Sequence, residues 1–127
     1  MKKMITLLVM LSLTIGYAQE RSNDKPEAIS FRQISPEKKF DNDSKKNVVT
    51  IYTLGGLKPS NHDVDQTFQK KFNVNYYDFG CLAPGNLDYY EKYNVLVFNY
   101  LKEKWNNEWE KDIKDNAIGF YNWKKTH

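Results

Sequence analysis

The stretch NVVTIYTLGG, residues 47–56, limits the fold more than any other part of the chain. From Val48 to Leu54 every position is β-branched, aromatic or aliphatic, so a strand here is apolar on both faces. Such a strand needs cover on both sides, as in a parallel or mixed sheet. The next stretch, KPSNHDVDQTFQKKF, predicts a short amphipathic helix. Asp63 and Gln66 have capping-box spacing, and Val64, Phe68 and Phe72 fall on one stripe at i, i+4 and i+8. VNYYDFG, residues 74–80, reads as a second strand, with Val74, Tyr76 and Asp78 on one face and Asn75, Tyr77 and Phe79 on the other. Gly80 ends it and CLAPGN is the loop.

Asp88 is placed to cap a long helix over YYEKYNVLVFNYLKEKW. Tyr90, Tyr93, Val97, Leu101 and Trp105 recur along it at three- and four-residue spacing, with Asn94 and Phe98 beside them. Asn106-Asn107 predict a kink there, or a restart as EWEKDIKD. The end, AIGFYNWKK, is apolar enough to pack back on the domain.

The order strand, helix, strand, helix predicts a small α/β domain of βαβα type over residues 47–127, with a short parallel or mixed sheet and one long C-terminal helix. A single crossover helix makes the two strands parallel. Parallel strands bring Gly55-Gly56 and Gly80-Cys81 to the same sheet edge, and open α/β sheets bind ligands at that carboxyl edge. Gly55, Gly56, His62, Asp78, Cys81 and Asn86 are therefore the candidate binding residues. Two glycines after a strand are expected to supply positive φ at a sharp turn.

Upstream, residues 19–46 are polar, charged and punctuated by Pro26 and Pro36, which predicts a flexible arm. Within it, ISFRQI offers a short edge strand. Residues 1–18 have the order of a secretory signal peptide: Lys2 and Lys3, an apolar run from Ile5 to Ile15, then Gly16 and Ala18 before a cleavage point. The apolar run is shorter than the roughly 20 residues that span a bilayer. The expectation is an exported bacterial protein, periplasmic or extracellular, with no stable membrane span once the leader is removed.

Removing residues 1–18 takes away two lysines and no acid, so 19 Lys+Arg against 16 Asp+Glu becomes a near-balanced chain. Acidic residues are interleaved with the basic ones, which disfavours nucleic acid as a partner because backbone binding needs a concentrated basic surface. One cysteine in an exported chain makes no internal disulfide, so apolar burial must hold the domain.

Several motif readings fall away on spacing. Asp78-Phe79-Gly80 matches a kinase triplet, but no glycine-rich loop, strand lysine or catalytic-loop aspartate accompanies it. Gly55-Gly56 belongs to neither a phosphate loop nor a dinucleotide fingerprint. His62, Asp63, Asp65 and Cys81 lack the spacing of a metal site, and the two aspartates serve as first-turn acids on a helix dipole. No metal or other cofactor is expected. Cys81 is open to two readings. With His62 as base it would be a nucleophile or redox thiol; without one it is a small buried hydrophobe. Burial is the expectation, since Asp78 and Asp88 would raise the thiol pKa and an oxidising compartment penalises an open thiol. Tyr76-Tyr77, Tyr89-Tyr90-Tyr93 and Trp105/Trp109 are plentiful aromatics for a domain this size; the three tryptophans with Tyr121 exceed what the inner face can hold, and exposed aromatic patches mark interaction surfaces.

TFQKKFNVNYYDFGCLAP, YYEKYNVLVFNYLKEKW and DNAIGFYNW together resemble the FEKKY domain of small bacterial proteins, with Phe68-Gln69-Lys70-Lys71-Phe72 standing for the eponymous stretch. The resemblance covers roughly residues 48–124 and implies a domain boundary, without a catalytic residue. The functional expectation is a binding or interaction module without catalysis, its ligand a protein, peptide or glycan. The alternatives are a thiol enzyme using Cys81 and His62, and a partner-binding face formed by Trp105 and Trp109.

Overall fold

The structure, a computed structural model, describes residues 33–55 and 61–127. The signal-peptide stretch, most of the ISFRQI segment and Gly56 lie outside the described residues. The element order is α1 (Pro36–Lys45), β1 (Thr50–Thr53), α2 (His62–Phe72), β2 (Asn75–Asp78), α3 (Leu87–Trp105) and α4 (Phe120–Thr126). β1 and β2 pair in parallel, Thr50 opposite Asn75 through Thr53 opposite Asp78, with α2 as the crossover. The domain is thus of mixed α/β class.

The arm expected over residues 19–46 needs correction in its last third. Ser35 caps α1 by accepting the Lys38 N–H, Pro36 fills the first helical position, and Lys39–Asp43 and Asp41–Lys45 pair one turn apart. No α1 residue is fully buried. Its anchor is Phe40, whose ring meets Tyr93 and Tyr100 of α3 edge-on.

Helix ends share one device. Asn47 and Asn73 both adopt left-handed φ (56° and 53°), and the valine that follows each donates its N–H back into the helix, Val48 to Asp43 and Val74 to Gln69. An asparagine tolerates this conformation where bulkier residues do not. The chain then enters a strand in each case. Asn106, at φ 51°, ends α3 without the predicted kink or helical restart. Residues 107–116 instead form turns that lay Trp109 and Ile113 into the core. Two further caps are corrected: Asn61 precedes α2 and Asn86 precedes α3. Asp63 and Asp88 lie inside the first turns, where Asp88 pairs with Lys92.

α3 carries Tyr93, Asn94, Val97, Phe98 and Leu101 into the core. Trp109, Phe98 and Trp123 form its aromatic centre, with Phe98 stacked on Trp109 at 5.8 Å. The C-terminal segment packs back as expected. Ala117 bridges Thr53, Ile118 donates to the Tyr52 carbonyl, and Asn116 donates to the Leu54 carbonyl. Buried Asn94 completes this edge of β1: its Oδ1 accepts the Tyr52 N–H, and its Nδ2 donates to the carbonyls of Tyr52 and Ile118. Across the sheet, β2 is capped on its outer side by Gln69, which accepts the Tyr76 N–H, while the Asp78 N–H has no partner among the described residues.

Candidate functional site

The carboxyl ends of β1 and β2 meet where the strand order requires. Gly55 N–H donates to the Gly80 carbonyl at 2.8 Å. A Cβ on Gly55 would stand 2.6 Å from Gly80 backbone atoms, closer than any side chain permits. Gly55 is therefore needed for close approach, and the positive φ expected of it belongs to Gly80, at 67°. Asp78 shapes that turn, its Oδ1 accepting the Gly80 N–H at 2.7 Å.

The other predicted residues stand near the same loops but are engaged separately. The His62 ring nitrogen Nε2 lies 2.7 Å from Gln66 Nε2 within α2. Asn86 donates to Gln33 Oε1 at 2.8 Å. Cys81 is exposed, which overturns the expected burial: the turn that Asp78 and Gly80 make carries it out of the sheet. No hydrogen bond joins Cys81 to His62 among the described residues, so the nucleophile–base pair is not assembled. Among the described residues no three His, Cys, Asp or Glu side chains group as metal ligands. No helix of the described residues is long and apolar enough to cross a membrane.

Spacing alone missed a ladder of rings on one face of the strand pair. Tyr52 lies 5.8 Å from both Tyr77 and Phe79 and 4.6 Å from Tyr90; Phe79 meets Tyr90 at 4.7 Å, and Tyr90 meets Tyr89 at 5.2 Å. Alternation had put Tyr77 and Phe79 on one face, but their meeting with the first turn of α3 is a tertiary fact. Tyr77 is 53% exposed and Leu82, just beyond the turn, 83%. The tryptophan face is corrected: Trp109 is fully buried, with Nε1 donating to the Asn106 carbonyl, and Trp105 packs edge-on against Phe72.

Electrostatics tighten the inner end of the ladder. Asp43 Oδ2 accepts both Lys39 Nζ and the Tyr93 hydroxyl at 2.7 Å, and the Thr50 N–H donates to the same hydroxyl. Burial, and then the bond to Asp43, push the Tyr93 phenol far up. Burial is the largest single influence on Lys39 and pulls its pKa down, but Asp43 and Tyr52 together outweigh it and the net shift is upward. Burial also raises Tyr52 and Tyr89, with Lys39 opposing it in both.

No family model matches the chain, and neither a curated protein nor a solved structure is found similar to it. The likeness to the FEKKY domain rests on the quoted stretches alone.

Proposed function

We propose that the protein is an exported binding module that holds a peptide or a glycan against the aromatic face at the carboxyl end of its strand pair. The observation that carries this reading is the continuous ladder Tyr52–Tyr77–Phe79–Tyr90–Tyr89 with Tyr77 half in solvent. Rings locked against one another lose little freedom on binding, and Tyr77, the exposed one, presents both an apolar face and a hydroxyl. Cys81 and Asn86 follow β2 in the next loop, where polar groups would orient a ligand. The leader-like residues 1–18 support export.

The test is a thermal-shift screen of neutral oligosaccharides and blocked peptides, followed by amide chemical-shift mapping. At least one class should raise the melting temperature and move residues 77–82. Tyr77→Ala should remove that response at a stability cost under about 1 kcal/mol, because the ring is already half exposed. A protein that none of these ligands stabilises is not a module of this kind. Intact mass of protein recovered from the secreting host checks the export half, with Gln19 expected as the first residue.

A further inference from the structure

A second surface, sharing no residue with the aromatic ladder, lies along α2. The apolar stripe of this helix runs farther than the core uses. Phe68 and Phe72 are 3% and 0% exposed, whereas Val64, one turn nearer the N-terminus, is 54% exposed. A groove of about 340 Å³ follows the stripe, bordered by Asp63, Val64, Thr67 and Lys71 on the helix and by Asp112 from the turns after α3, with Phe68 and Phe72 at its base. That volume is at the low end of the roughly 300–1,000 Å³ of small-molecule pockets, enough for one large side chain and its neighbours. From Asp63 to Phe72 the helix rises about 13 Å, the length of about four extended residues.

The charges around the groove are unequal. Asp65 is answered by Lys114 at 2.7 Å, and the Lys71 ammonium lies 4.9 Å over the Phe72 ring. Asp63, Asp112 and Lys71 have no ion-pair partner among the described residues, which leaves two carboxylates against one ammonium at the groove. An apolar occupant alone would press both carboxylates out of water with nothing to meet them, and an acidic one would add like charge. We propose that this groove binds a short extended peptide segment in which an apolar side chain is flanked by arginine or lysine. The apolar side chain covers Val64 and the phenyl edges, and the flanking cations meet Asp63 and Asp112.

The probe is a blocked hexapeptide with leucine between two arginines, titrated into the isotopically labelled full chain. Its counterpart carries glutamates in place of the arginines. The arginine peptide should shift the amides of Val64, Thr67 and Lys71, and the glutamate peptide should not. Asp112→Asn should weaken binding about two- to five-fold, the size expected for one partly exposed ion pair. About 0.5 M salt should weaken it further. Val64→Lys, at an exposed position, should abolish binding while the near-ultraviolet circular dichroism of the buried tryptophans stays unchanged. The proposal is overturned if millimolar arginine peptide moves no α2 amide, if the glutamate peptide binds equally well, or if the shifts map to Tyr77 and Phe79 instead.

Discussion

Asn94 satisfies three backbone groups with one side chain, at a position where no solvent reaches. Its amide closes the outer edge of β1 and ties the 117–118 segment to α3. Replacing it with leucine keeps the number of side-chain heavy atoms but strands the Tyr52 N–H and the Ile118 carbonyl in the core, while the Tyr52 carbonyl keeps the Ile118 N–H. Each buried orphan costs about 1–3 kcal/mol, so Asn94→Leu should lose at least about 2 kcal/mol in urea unfolding. A loss below about 1 kcal/mol would mean that these backbone groups find other partners. Sequence reading found Asn94 beside the helical stripe but had no means of assigning it this task. A polar residue on an apolar face shows which side it occupies, and not which strand edge is waiting there.

At the scale of elements, α1 is the one helix among the described residues with no fully buried residue. Phe40 and the Asp43–Tyr93 bond are its main ties to the rest of the domain. Hydrogen exchange should find its amides opening well below the global stability, while those of α3 exchange only with complete unfolding. Tyr93→Phe should widen that gap by about 1–2 kcal/mol, since it removes a hydrogen bond to an ionised carboxylate. Equal protection in both helices would show that α1 is integral to the cooperative unit. The same weakness explains why α1 was illegible in sequence. Ser35-Pro36-Glu37 is a good start signal, but a helix anchored by one aromatic residue has no apolar period to read. The β1–α2–β2–α3 order was legible because each of those elements carries its own apolar signal, an unbroken run in β1, alternation in β2 and a stripe in each helix. Cys81 and Trp109 were misjudged in opposite directions for a shared reason. Whether a loop folds outward or back over the core depends on contacts distant in sequence, here the Asp78–Gly80 turn and the packing of Phe98, Phe120 and Trp123 around Trp109.

For the whole molecule, two tyrosine hydroxyls act as ties between distant segments. Tyr93 joins α3 to α1 and β1, and Tyr76 accepts the Lys114 N–H that anchors the turns after α3. Burial is the first cause that lifts both phenols above the ordinary tyrosine value of 10.0. A phenol that holds its proton more tightly folded than unfolded stabilises fully below that ordinary value, and the stabilisation is lost as pH rises past it. The melting temperature should therefore fall steadily from about pH 10 upward, and Tyr76→Phe should flatten the fall. An unchanged melting temperature between about pH 9 and 11 would contradict the assignment. The strand pair, finally, is asymmetric at its two borders. β1 is sealed by Asn94 and residues 116–118, and only β2 retains an outward donor free among the described residues. Open-ended polymerisation by strand addition requires two receptive borders on each copy, one to give and one to take. With one border sealed, any strand that pairs with β2 terminates the stack, so a fibre cannot propagate from the folded form through this sheet.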